Sequence, residues 1–219
     1  MTHTLHRKGA LRDLQEDFVV FTMSAKTVNA RGSARKMQRF FEILERYGPV
    51  NYGDMNTGSI LSTNRATIYE GIRDTSIVHF VFTDKEAVIN VLGELKAARL
   101  GTSVVVSGLV DEIDQLCRHA GLRMHTVEFS GGIHGRLGLL PEPSILEITT
   151  MCGHGMVASS LVKEMVRQIK RGKKTVPEAA RELAKPCQCG IFNPKRAEIV
   201  LDRLINQPNI SKGDRYESA

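Results

Sequence analysis

The sequence predicts an α/β (or α+β) protein, with a sheet and packed helices in the N-terminal two-thirds and a helical C-terminal segment. Two observations support this class. Strand-like apolar runs alternate with helical patterns through the first two-thirds of the chain, and after Pro141 only helical patterns follow. We therefore expect an α/β domain at residues 1–140 and a helical, cysteine-bearing segment at residues 141–219, a length that can bury a core without disulfides.

The first predicted elements are a strand and a helix. Phe18–Met23 is an apolar run typical of a buried strand. Ser33 is expected to cap a helix that ends near Tyr47, because a Gly-Pro pair follows. Residues 48–76 are rich in Gly, Asn, Thr and Ser and predict a long irregular connection. Within it Tyr52–Ser59 fits either a substrate loop or a surface loop, and we favour the surface loop.

Three further strands and two helices complete the predicted domain. They are strand Ile77–Phe82, a helix opened by a Thr83–Glu86 capping box and closed by Gly101, strand Thr102–Val106, helix Leu109–Ala120 and strand Arg123–Phe129. The strand–helix–strand unit from Ile77 to Val106 should cross over right-handedly. A ferredoxin-like sheet and a small doubly wound sheet both fit this order of elements.

The C-terminal segment is predicted to contain successive amphipathic helices. One spans Val157–Arg171, another begins at the capping box Thr175–Glu178 and ends near Lys185, and another is opened by Asn193 and ends near Ile205. The polar tail from Pro208 is expected to fray.

Three of the four cysteines lie in two short motifs, Thr150–Met156 and Lys185–Gly190, which read Cys-x-His and Cys-x-Cys. Each motif precedes a predicted helix start, near Met156 and at Pro194. A helix N-terminus carries about half a positive charge and free N–H groups, which favour the thiolate that binds metal. The expected metal ligands are Cys152, Cys187, Cys189 and His154.

Glycines accompany both motifs. Gly153, Gly155 and Gly190 let the backbone turn tightly and approach a bound group, so we predict that they contact a cofactor. The predicted helices between the motifs form a hairpin that returns Cys187 to Cys152. The sequence therefore indicates one shared site.

The spacing favours an iron–sulfur cluster over zinc. Structural zinc sites commonly use Cys-x-x-Cys, which neither motif contains. Three cysteines on a [4Fe–4S] cluster would leave one iron open or capped by His154, which suits a non-redox enzyme that uses an open metal position. Two alternatives stay open: a non-enzymatic module with a structural Cys3His zinc site, and a metal-free dithiol protein that handles sulfur or redox equivalents.

A glycine-rich loop, Ser130–Gly138, is a second candidate site. Its backbone N–H groups, with His134 and Arg136, could hold a small anionic substrate, although a plain turn fits the same residues. Cys117 stands alone in a predicted helix, so we interpret it as a packing residue.

Charge and composition limit the expected partners. The net charge is +6, with 30 Lys and Arg dispersed among 24 Asp and Glu; aromatic residues make up 5% and Trp is absent. No stacking surface for nucleic acid is therefore expected. The N-terminus lacks the apolar core of a signal peptide, and no apolar run is long enough to span a bilayer. We expect a cytoplasmic protein with reduced cysteines and no membrane partner, and the sequence leaves the oligomeric state open.

The phrases Thr149–Val157 and Ala184–Pro194, which read TTMCGHGMV and AKPCQCGIFNP, resemble a family of uncharacterised prokaryotic proteins. The resemblance covers most of the chain, and these phrases are its most specific part. It implies no activity, but it implies that the two cysteine motifs belong together.

Overall fold

A sheet of five antiparallel strands forms the centre of the protein, as seen in a computed structural model that describes residues 7–206. The strands are β1 (Phe18–Met23), β2 (Asn51–Asp54), β3 (Gly58–Ser59), β4 (Ile77–Phe82) and β5 (Ser103–Ser107). Their order across the sheet is β3-β2-β4-β1-β5. With helices packed on this sheet, the predicted fold class is confirmed.

The described helices follow the predicted division into a mixed part and a helical part. They are α1 (Leu11–Leu14), α2 (Ser33–Glu45), α3 (Arg65–Gly71), α4 (Lys85–Ala98), α5 (Val110–His119), α6 (Pro143–Thr149), α7 (Ser159–Lys170), α8 (Val176–Ala184) and α9 (Pro194–Asn206), with a 3₁₀ turn at Leu137–Leu139. The tail from Pro208, which was expected to fray, lies outside the described residues.

The strand order decides between the two predicted topologies. Without the two-residue β3, the sheet reads β5-β1-β4-β2, and the chain runs β1-α2-β2, then β4-α4-β5. Each neighbouring pair is antiparallel. This is the ferredoxin-like arrangement, in which β4 and β5 are parallel with β1 between them. A doubly wound sheet would need parallel neighbours, so it is excluded.

Helices cover both faces of the sheet. Side chains alternate between faces along a strand, so Phe18 and Val20 pack with α2, α4 and α5, while Val19 and Phe21 pack with α6 to α9. The C-terminal helices therefore form the third layer of one packed structure. The boundary near residue 140 stays a prediction.

Residues 48–76 are not the irregular connection that their composition predicted. They form β2, β3 and α3, and the Tyr52–Ser59 stretch is a hairpin in which Gly53, Asp54, Gly58 and Ser59 are buried, not a surface loop. β2 pairs with the core strand β4, which supplies its backbone hydrogen-bond partners. The sequence of a short polar strand does not reveal such a partner, so composition alone did not predict β2. The side chain of Asn64 accepts a hydrogen bond from the N–H of Thr67 and so caps α3.

The predicted strand Arg123–Phe129 is wrong. This stretch has no strand assignment, and Val127 and Phe129 are 43% and 71% exposed. Its alternating pattern is compatible with a strand, but a strand also needs a neighbour to bond its backbone. Within residues 7–206 no strand pairs with it.

Two predicted helix caps are wrong, because other residues cap these helices. Ser33 is the first residue of α2, and the carboxylate of Asp74 accepts hydrogen bonds from the N–H groups of Gly32 and Ala34, both at 2.8 Å. Asp84, not Thr83, caps α4. In contrast, the capping box of Thr175 and Glu178 is present as predicted, and the side chain of Asn193 accepts a hydrogen bond from the N–H of Arg196 at 3.0 Å.

Replacing each of the two candidate caps of α4 by alanine tests which residue caps the helix. Asp84→Ala should lower the free energy of unfolding by about 1 kcal/mol, because the N–H groups of Glu86 and Ala87 lose their acceptor. Thr83→Ala should change it by less than about 0.5 kcal/mol. Urea unfolding followed by far-UV circular dichroism measures both. A larger loss of stability in Thr83→Ala than in Asp84→Ala would show that Thr83 is the cap.

Candidate functional site

The two cysteine motifs meet in the third layer of the structure. Cys152 lies in the loop between α6 and α7, and Cys187 and Cys189 lie in the loop between α8 and α9. None of the three forms a disulfide, and all are at most 2% exposed. The chain thus returns Cys187 to Cys152, as the sequence predicted.

The four predicted ligands form a row of contacts that we call the thiol site. Cys152 and Cys187 share a hydrogen bond between their thiols. The Sγ atoms of Cys187 and Cys189 are 3.9 Å apart, and Cys189 Sγ is 3.8 Å from His154 Nδ1. His154 is exposed whereas the sulfurs are buried. The thiol site therefore reaches the surface at His154.

Cys152 lies among the backbone amides of a loop and not at the N-terminus of a helix, where the sequence predicted it. α7 begins at Ser159 and not near Met156, whereas α9 begins at Pro194 as predicted. The N–H groups of His154 and Met156 hydrogen-bond to Cys152. Cys187 and Cys189 accept in the same way from two further amides, those of Phe192 and Ile191 respectively. Each buried sulfur thus has an amide donor, which favours its charged form.

Hydrogen bonds along the row separate the three thiols in acidity. The hydrogen bond to Cys187 and burial raise the pKa of Cys152 far above its usual range. The hydrogen bond from Cys152 lowers the pKa of Cys187, but the bond to Cys189 and burial outweigh it and raise that pKa to about 12. The hydrogen bond from Cys187 lowers the pKa of Cys189. Of the three thiols, only that of Cys189 has a lowered pKa.

A buried ionic network, which the sequence did not predict, lies beside the thiol site. The side chain of Asp17 is fully buried between Arg7 and Arg196, whose side chains are 7% and 2% exposed. Arg196 Nη1 is 2.8 Å from Asp17 Oδ2, and Asn193 Nδ2 donates to Asp17 Oδ1 at 2.9 Å. Burial raises the pKa of Asp17, but the two guanidinium charges outweigh it and hold that pKa below its usual range.

Arg7 joins this network to both cysteine loops. Besides its contact with Asp17, its guanidinium donates to the carbonyl oxygens of Ile191 and of Met151, the second at 3.4 Å. Met151 directly precedes Cys152, and Ile191 follows the Cys189-Gly190 pair. One buried cation thus fixes the two loops relative to each other. No signal in the sequence identifies it, because Arg7 lies far along the chain from both loops.

The second cysteine loop also packs against β2. Gly190 has φ +75°, and a Cβ added there would lie 2.5 Å from the carbonyl carbon of Tyr52. Asn51 Nδ2 donates to the carbonyl oxygen of Phe192 at 2.8 Å. Close packing against β2 therefore explains why glycine occupies position 190. Of the other predicted glycines, Gly155 is exposed with φ +70° and Gly153 is partly buried. Contact of all these glycines with a cofactor stays a prediction.

The second candidate site is not brought to the thiols. His134 and Arg136 are exposed, and His134 Nε2 lies 2.7 Å from the carbonyl oxygen of Gly131 in its own loop. Their anion-binding role stays a prediction. Cys117 is 8% exposed and packs with α2 and α4, on the sheet face opposite the thiol site. Its expected packing role agrees with this position.

The thiol site as it stands is a row and not a closed shell. Across the described part of the chain, no three or more His, Cys, Asp or Glu side chains are arranged so that they could hold a metal ion. Metal binding would therefore require side chains to turn toward one centre. In the same residues, no helix is long and apolar enough to cross a bilayer.

Comparisons with protein families, with curated proteins and with solved structures find nothing that matches this chain. The resemblance to a prokaryotic family therefore stays a prediction. What can be said of function rests on the residues and their geometry.

Asp17→Asn tests the ionic network. The change leaves two buried guanidinium ions without their counter-charge and should lower the free energy of unfolding by about 3–5 kcal/mol at neutral pH. Glu45→Gln is the control, because it breaks the exposed pair with Arg65 and should cost less than about 1 kcal/mol. Urea unfolding measures both, and equal losses would contradict a buried network.

The pH dependence gives an independent check on Asp17. Because its pKa is lowered in the folded protein, the carboxylate stabilises the fold above its unfolded pKa, and this contribution is lost as the pH falls. The stability difference between the wild type and Asp17→Asn should begin to shrink once the pH falls below about 3.9. A difference that stays constant under acid conditions would show that the charge of Asp17 is not involved.

Two glycines with similar backbone angles test the packing of the cysteine loop. Gly190→Ala and Gly172→Ala place alanine at φ +75° and +67°, but only the Cβ at Gly190 meets other atoms. Gly172→Ala should cost about 1 kcal/mol for the left-handed backbone, and Gly190→Ala about 2 kcal/mol more for the collision with β2. Thermal unfolding compares them. Equal losses of stability in the two variants would mean that β2 can move away and that its contact with Gly190 is not tight.

Proposed function

We propose that the protein binds a metal through Cys152, Cys187, Cys189 and His154. The contact distances in the thiol site carry this proposal. With bond lengths of about 2.3 Å to sulfur and 2.0 Å to nitrogen, a tetrahedral zinc ion holds two sulfurs about 3.8 Å apart and a sulfur and a nitrogen about 3.5 Å apart. The observed separations of 3.9 Å and 3.8 Å are close to these values.

These distances favour a single tetrahedral ion over a [4Fe–4S] cluster. Each thiolate on such a cluster binds a different iron, so the thiolates lie further apart than ligands of one ion. Cys187 and Cys189 are already in contact, which suits one ion. A mononuclear Cys3His zinc site is therefore the better supported of the two metal alternatives.

The backbone amides around the sulfurs, rather than the raised pKa values of Cys152 and Cys187, are the feature that supports a thiolate site. A cysteine that is only a small apolar side chain needs no amide donors, yet each of the three sulfurs has at least one. Such donors offset part of the negative charge that three thiolates bring to one cation. To complete the site, Cys152 would exchange its hydrogen bond to Cys187 for a bond to the metal.

The position of the thiol site indicates a structural role. A metal there would link the α6–α7 loop to the α8–α9 loop, the same loops that Arg7 connects through Met151 and Ile191. Binding energy for a structural zinc adds directly to folding energy. Of the four proposed ligands only His154 is exposed. If the protein is instead an enzyme, a small anionic substrate would reach the metal at His154.

Anaerobic purification followed by metal and acid-labile sulfide analysis tests the proposal. We expect a colourless protein with about one zinc ion per chain and no sulfide. A brown protein with sulfide would overturn the choice of zinc and select the [4Fe–4S] cluster. A protein without metal or sulfide, even after reconstitution with zinc or with iron and sulfide, would overturn metal binding altogether.

Cysteine variants identify the ligands. Cys187→Ser and Cys189→Ser should each lose most of the bound metal, whereas Cys117→Ser, the matched control on the other face of the sheet, should keep it. His154→Ala removes the exposed ligand and should raise the metal dissociation constant by at least about tenfold. Metal loss in Cys117→Ser alone would contradict the assignment.

One observation favours a second candidate function, that of a metal-free thiol protein. Three reduced thiols are in contact, so Cys152 and Cys187 could exchange with a small disulfide substrate. In that exchange their two thiols are oxidised to a disulfide while the substrate is reduced to two thiols. Their burial opposes this reaction. Rapid alkylation of Cys152 or Cys187 in a metal-free protein would favour it.

A further inference from the structure

Two buried cations share one buried carboxylate beside the thiol site. Among residues 7–206, Asp17 is the only carboxylate that forms an ion pair with Arg7 or with Arg196. The side chains of all three residues are at most 7% exposed. These ion pairs therefore leave one positive charge unbalanced, and a buried charge without a counter-charge is costly.

The two cations face different parts of the structure. Arg196 is also attracted by the carboxylate of Glu147, which lies in α6. Arg7 instead donates to the carbonyl oxygens of Met151 and Ile191, beside the two cysteine motifs. The unbalanced positive charge is therefore directed toward the thiol site through Arg7.

One peptide group connects Arg7 to a sulfur of the thiol site. The carbonyl oxygen of Ile191, which accepts a hydrogen bond from Arg7, belongs to the same peptide group as the N–H of Phe192. That N–H donates to Cys187. A guanidinium ion on the carbonyl oxygen polarises the peptide group, and polarisation makes its N–H a stronger donor. The positive charge of Arg7 thus acts on Cys187 through a single peptide group.

The proposed metal centre has a charge that this cation can balance. A zinc ion with three thiolates and a neutral histidine carries one net negative charge, because two positive charges meet three negative ones. Cys152, Cys187 and Cys189 are buried, so most of this negative charge would lie inside the protein. A buried anionic centre needs a counter-charge nearby. Beside the same two loops, Arg7 offers one.

We propose that Arg7 is the counter-charge of the metal–thiolate centre and thereby sets the affinity of the thiol site for its metal. This inference rests on the proposed zinc site and adds to it a residue that does not bind the metal. Arg7 is a positioning residue, because it acts on Cys187 through the peptide group of Ile191 and Phe192. The charge of Arg7, and not only its hydrogen bonds to the two loops, determines how tightly the metal is held.

Zinc dissociation constants of the full chain, measured by competition with a chromophoric chelator, test this role. Arg7→Gln and Arg7→Lys both lose the forked donor, but only lysine keeps the charge. Arg7→Gln should raise the dissociation constant at least about tenfold, and Arg7→Lys should recover most of that loss. Arg203→Gln is the control, because it breaks ion pairs with Asp13 and Glu147 and contacts neither cysteine loop. It should leave the constant unchanged.

Asp17→Asn separates the charge of the network from its packing. The change disrupts the network but leaves Arg7 positive, so zinc should bind at least as tightly as in the wild type. If the network only held the loops in place, Asp17→Asn would weaken zinc binding as Arg7→Gln does, and that result would overturn the proposal. If Arg7→Gln does not fold by far-UV circular dichroism, Arg7→Lys and Asp17→Asn decide, because both keep the charge and should keep zinc binding.

Failure of this inference can be told apart from failure of the zinc site. A wild type that binds zinc no more tightly than Arg7→Gln would overturn the role of Arg7 alone. So would an Arg7→Lys variant that binds zinc as weakly as Arg7→Gln. A wild type that binds no zinc would overturn the proposed function, and the role of Arg7 with it.

Discussion

The burial of Asp17 between Arg7 and Arg196 is the interaction on which the rest of the structure depends. Asp17 directly precedes β1, which has a neighbouring strand on each side, and Arg196 belongs to α9. A buried carboxylate needs an opposite charge and hydrogen bonds, and here two guanidinium groups and Asn193 supply them. These bonds hold β1 and α9 in one relative position.

This lock also places the thiol site. Arg7 extends from Asp17 to the carbonyl oxygens beside both cysteine motifs, and Asn51 of β2 holds the second loop from the other side. The loops themselves are short and have no regular structure, so their backbone polar groups need such partners. The largely buried network thus holds the two loops that carry the sulfurs next to each other. The hydrogen bonds that stabilise the fold around Asp17 therefore also position the thiol site.

The antiparallel sheet explains both the exposed edge and the layered core. β1 and β4 occupy the middle, so their side chains are covered on both faces, by α2, α4 and α5 on one side and by α6 to α9 on the other. β5 lies beyond the cover of the C-terminal helices and keeps its valines exposed.

By itself the sequence determined the features that local chemistry controls. Apolar runs predicted β1, β4 and β5, the Thr175 capping box and Asn193 predicted where α8 and α9 begin, and the motif spacing predicted that Cys152 meets Cys187. Only the tertiary structure decided the features that need a distant partner. β2 exists because β4 bonds it, Arg123–Phe129 is no strand because nothing described pairs with it, and Asp74 caps α2 from another loop. The clamp by Arg7 belongs to this group, because hydrogen bonds between residues far apart in the chain leave no local pattern.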